Sequence, residues 1–101
     1  MKAYALDLLD FVEEKIAEAE RDVASRTVAL SKAAGAFPII KDRLYHEDQA
    51  ALAKFMLLGL FEVDFDRLGR ANESQFGEEV RQLRERVQVA RAVLQIERSS
   101  T

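Results

Sequence analysis

His46 is the only histidine in the chain; Asp42 stands four residues before it, and Glu47 and Asp48 follow directly. On a helix an i,i+4 pair shares one face, so this cluster has the donors of an oxygen-rich metal site. A di-iron bundle needs Glu-x-x-His motifs on facing helices, however, and the chain has none. His46 therefore reads as a polar residue at a helix junction. Ser25, Ser31 and Ser74 fall on helices or caps, and none sits in a nucleophile-elbow sequence. The paired carboxylates are Glu13-Glu14, Glu78-Glu79 and Asp64 with Asp66. Acid–base catalysis needs two such groups driven apart in pKa within a pocket, whereas these occupy exposed helical positions and read as solvated faces. No glycine-rich phosphate loop occurs. The expectation is a non-enzyme with no catalytic residue, no metal ligand and no cofactor.

The arginines carry more information. Arg84, Arg91 and Arg98 recur seven apart, with Arg81, Gln88 and Gln95 beside them. Such a stripe could track a phosphate backbone. It also suits the flank of a coiled-coil-like packing, where Glu13 and Glu20, likewise seven apart, would pair with it. Interleaved Glu78, Glu79, Glu85 and Glu97 weaken the phosphate reading, and no aromatic stands in the stripe to stack on bases. Arg81, Arg84, Arg91 and Arg98 are thus candidate contacts to an acidic partner or a phosphate. Pairing within the chain is the preferred reading, and nucleic acid the alternative.

The elements that position these residues are helical. The chain has 101 residues, 49% of them hydrophobic and 33% charged, with a net charge of −3 and no cysteine. That length allows a single domain, 1–101, with a modest core. Without cysteine there is no disulfide scaffold, zinc finger, iron–sulfur cluster or thiol nucleophile. A mildly acidic sum argues against a dedicated nucleic-acid or anionic-membrane surface. The N-terminus reaches Asp7 without the apolar stretch of a signal peptide. The longest apolar run, Phe55 to Phe61, is far shorter than the roughly 20 residues of a membrane span. A soluble cytoplasmic protein is expected.

Breakers are sparse. Gly35 and Pro38 bracket one interruption, Gly69 and Asn72 another. They divide the chain into helices over about 3–34, 38–68 and 73–98. The first carries Leu9, Ile16, Val23 and Leu30 seven apart, with Val12 and Ala19 between. The second has its polar cluster at His46 to Gln49, where a break at 45–48 is expected, followed by a run apolar in nearly every direction. Gly59 falls within that run, where close approach of another helix would explain it. Val63 to Asp66 alternates like a strand but reads as the last helical turn. Asn72 with Gln75 resembles a capping box, and opens a helix whose seam is Phe76, Val80, Leu83, Val87, Ala90 and Leu94.

A compact 100-residue domain has a radius of gyration of about 13 Å, while a 30-residue helix is about 45 Å long. The expected fold is therefore all-α: an elongated antiparallel bundle of three long helices, or four if a short one near 38–45 separates. Its flanks would be poorly covered by one copy. The last helix also has a second apolar face, and Val89, Val93 and Ile96, joined by Tyr4, Leu8 and Phe11, are the candidate interface of a homo-oligomer. The competing expectation is that the 38–45 helix, bearing Ile39, Ile40 and Leu44, covers that face within one chain. The functional reading is a small helical adaptor, regulator or assembly subunit that acts through helix faces, with a protein partner.

Overall fold

A computed structural model describes the backbone of residues 2–99 and the side chains of residues 4–95. The described residues form five α-helices and no strand: α1 (Lys2–Arg21), α2 (Arg26–Glu47), α3 (Gln49–Leu57), α4 (Phe65–Gly69) and α5 (Glu73–Ser99). The expected division into three differs at three places, and each has a local cause.

The first expected helix ends early. Asp22 leaves the helix with φ −134° and ψ 103°, and its carboxylate accepts the N–H of Ala24 at 3.0 Å. A short acidic side chain that caps the next turn competes with helix continuation. A 3-10 turn, Val23–Ser25, follows, and α2 folds back along α1. The heptad from Ile16 through Val23 to Leu30 is thus broken in space: Ile16 and Leu30 are buried on different helices, and Val23 is exposed.

The expected break at Gly35 and Pro38 is absent. α2 runs through both, and no separate helix spans 38–45. A proline inside a helix costs about 3 kcal/mol relative to alanine. Burial outweighs that here: Phe37, Ile40 and Leu44 are all in the core, and full burial of such a side chain contributes roughly 1.5–3 kcal/mol. Pro38 itself is exposed.

The break expected at 45–48 falls at Asp48, whose carboxylate accepts the Ala51 N–H at 3.0 Å and opens α3. Gly59 is not mid-helix. It lies just past the end of α3 with φ 70°, a left-handed conformation that glycine adopts without steric cost. After a 3-10 turn at Leu60–Glu62, Val63 is extended, and so is Asp64, which caps α4 by accepting the Arg67 N–H at 3.0 Å. The Val63 to Asp66 alternation is therefore a link and a new cap, not a last turn. Asn72 caps α5 through the Gln75 N–H at 2.9 Å.

All six residues of the α5 seam are buried, facing Ala5, Leu9, Val12, Ile16 and Ala19 of α1 across one core. Phe37 stacks on Phe65 with ring centres 5.7 Å apart, and Phe55 on Phe61 at 6.1 Å. Pairing fixes the directions of the long helices. Tyr4 meets Arg43 and Ala19 meets Arg26, so α2 runs opposite to α1. Glu13 meets Arg91 and Glu20 meets Arg84, so α5 also runs opposite to α1. The second and third long helices therefore point the same way instead of alternating, because residues 48–72 carry the chain back between them. The radius of gyration is 13.5 Å and the extents are 42 × 19 × 19 Å.

Candidate interaction site

The two flanks of α1 are built from residues one or two positions apart and have opposite characters. Asp10, Glu13 and Glu20 turn towards α5. The guanidinium of Arg91 is placed between Asp10 and Glu13, at 3.1 Å from Glu13 Oε2, and Arg84 pairs with Glu20. Burial alone would pull the Arg91 pKa down, but the Asp10 and Glu13 carboxylates outweigh it and hold the group above its ordinary value. The expected pairing of the α1 acids with the α5 arginines is thus present.

Arg26 closes the far end of this seam. It is 6% exposed, donates Nε–H to the Ala19 carbonyl at 3.0 Å and pairs with Glu73 at 2.9 Å. Its guanidinium carbon stands 3.7 Å from the Phe76 ring centre. One side chain thus ties the end of α1, the start of α2 and the start of α5. Nothing in the sequence singles it out, since an arginine at a helix start ordinarily reads as solvated.

Arg81 lies farther round α5, between Glu78 at 2.8 Å and Glu85 at 3.0 Å. Those carboxylates, Glu78 first, raise its pKa. The described members of the arginine stripe are therefore engaged by carboxylates of their own chain. The Arg98 side chain lies outside the described residues.

The other flank of α1 carries Tyr4, Leu8, Phe11 and Lys15. Here α1 and α2 leave an open groove of about 310 Å³, lined by Leu8, Phe11, Lys32, Gly35, Ala36 and Ile39. Its outer residues are held by cations: Arg43 over Tyr4 at 4.7 Å and Lys15 over Phe11 at 5.5 Å. Lys15 also pairs with Glu18 at 3.0 Å, and that hydrogen bond pulls the Glu18 pKa below its ordinary value. Gly35 leaves the α2 wall bare, and a Cβ there would meet nothing within 4 Å among the described residues. Sequence reasoning missed this wall, because a break at Gly35 and Pro38 puts Ile39 on another helix. The readable signal was the helical spacing of Val28, Lys32, Gly35 and Ile39.

The expected interface is divided by the structure. Val89 is half exposed, and Val93 is partly buried against the core. The Ile96 side chain lies outside the described residues. α5 turns Arg91 to α1, whereas Arg86, on the flank that also carries Val93, reaches the Leu58 carbonyl at 3.4 Å. Val89 and Val93 therefore do not share a face with Tyr4, Leu8 and Phe11.

Several of the residues that could do chemistry have structural partners. His46 Nε2 lies 3.5 Å from Asp42 Oδ1 with both side chains exposed. Asp48 and Asp64 are caps, and Asp66 and Glu79 pair with Arg70 and Arg67. Among the described residues no group of three or more His, Cys, Asp or Glu is arranged to hold a metal ion, and no helix is long and apolar enough to cross a membrane. Compared with known proteins, the chain matches no protein-family model, no curated protein and no solved structure.

Proposed function

We propose that this is a non-enzymatic helical interaction protein whose working surface is the α1/α2 groove, and that the first occupant of that groove is a second copy of the chain. The bare Gly35 wall carries the reading. A glycine inside a helix costs about 1 kcal/mol relative to alanine, and nothing among the described residues uses the room it leaves. A second hairpin related by a two-fold axis does use it. Such an interface is self-complementary: Phe11 and Ile39 of one copy enter beside Gly35 of the other, and four helices enclose what two leave open. Exposed apolar groups elsewhere, such as Val89 and the neighbours Met56 and Leu57, are the small exposures that ordinary surfaces carry. An arginine contact to nucleic acid is less favoured, because Arg81, Arg84 and Arg91 already face acids.

Light scattering tests this proposal. The wild type should give about twice the 11.4 kDa chain mass, and Phe11→Asp with Ile39→Asp should halve it while leaving helicity intact. A monomeric wild type at high concentration would rule the reading out.

A further inference from the structure

The opposite flank of α2 faces the 3-10 turn at Leu60–Glu62 and α4, and Pro38 lies on it. Because proline has no N–H, the Ala34 carbonyl lacks the donor that a continuous helix would supply. Ala34 borders a cavity of about 290 Å³ whose apolar wall includes Phe37, Phe61, Val63 and Phe65, with Lys41 at its edge. The rings are already organised: Phe37 stacks on Phe65, and meets Phe61 edge-on at 6.3 Å with planes 79° apart. Among the described residues Lys41 makes no ion pair; its ammonium stands 5.7 Å from the centre of the Phe61 ring. Most described arginines, by contrast, have a carboxylate partner.

Three aromatic rings, a lysine with no carboxylate partner among the described residues and Ala34, whose carbonyl lacks its helical donor, all line this cavity. We infer that it binds a small aromatic carboxylate, with the ring among Phe37, Phe61 and Phe65 and the carboxylate on Lys41. A ring N–H, where the ligand has one, donates to the Ala34 carbonyl. Small-molecule sites typically span roughly 300–1,000 Å³, so this cavity suits one ring or two fused rings and not a nucleotide. The inference is independent of the α1/α2 groove, since the two sites use different flanks of α2.

The chain has no tryptophan, so the fluorescence of an indole probe is read without background. Indole-3-acetate titrated with the full chain should bind saturably, with amide shifts centred on Phe37, Phe61 and Val63. Tryptamine, which has the same ring and a cationic tail, should bind at least roughly tenfold more weakly. Lys41→Met alters an exposed side chain and should weaken indole-3-acetate binding by roughly tenfold, as expected for loss of one charged hydrogen bond. Ala34→Leu should fill the cavity and abolish binding, with helicity checked by circular dichroism. The inference is overturned if indole-3-acetate does not saturate, if tryptamine binds as tightly, or if Lys41→Met keeps wild-type affinity.

Discussion

The α5-facing flank of α1 is closed by charge, and its outer α2 flank is an open apolar groove. On the closed side Arg91, Arg84 and Arg26 meet carboxylates or a carbonyl supplied by the same chain. On the open side Leu8, Phe11 and Ile39 line a trough that nothing among the described residues covers. The difference separates two jobs. Ion pairs at a helix seam fix register and direction, whereas uncovered apolar surface gains free energy only when another surface removes it from water. The closed flank should therefore govern stability and the open flank association, and each can be broken without the other.

The largest expected effect is on the closed side. Arg26→Ala removes the bond to Ala19, the ion pair to Glu73 and the contact with Phe76, and should cost about 2–3 kcal/mol in denaturant unfolding. Glu73 is exposed enough to regain water, which limits the loss. Next is Arg91→Ala, which strips the partner from Asp10 and Glu13 and should cost about 1–2 kcal/mol. Neither change should alter the dimer mass of the protein that remains folded. On the open side the sign reverses. Gly35→Ala should stabilise the chain by about 0.5–1 kcal/mol through helix propensity, yet weaken association by narrowing the groove. Compared at concentrations where both proteins are monomeric, a Gly35→Ala variant that unfolds more readily would refute the open wall.

The smallest effect is a titration at the groove's edge. The Glu18 carboxyl is held below its ordinary value by Lys15. Its contribution to stability is therefore present above the ordinary glutamate range, near about pH 4.3, and is lost as pH falls through the folded-state value. Lys15→Gln should raise the Glu18 midpoint in an NMR titration. The Glu18 side chain is about a third exposed, and screening by solvent keeps the effect on stability slight.

Much of the closed flank was legible in the sequence. The α5 seam and the acid–arginine pairing follow from seven-residue spacing, which needs only a regular helix, and the Asn72 cap follows from its three-residue spacing to Gln75. The end of α1 was not, because Asp22 acts through a capping bond, and the heptad of Ile16, Val23 and Leu30 continues across it by coincidence. The passage of α2 through Pro38 was hidden for another reason. Local preference marks a stop there, and the burial of Phe37, Ile40 and Leu44 that overrides it is a tertiary effect. That one misplacement concealed the groove, since Tyr4, Leu8 and Phe11 were legible as apolar but their opposite wall was not. Arg26 left no signal, because its value lies in three elements meeting around it.

The central claim is that the groove is where two copies meet, and a single introduced cysteine tests it directly because the chain has none. A disulfide needs Cα atoms within about 7 Å. Gly35→Cys, mildly oxidised, should give a cross-linked dimer that reduction reverses, whereas Val89→Cys under the same conditions should remain a single chain. Cross-linking through residue 89 and not through residue 35 would contradict the account.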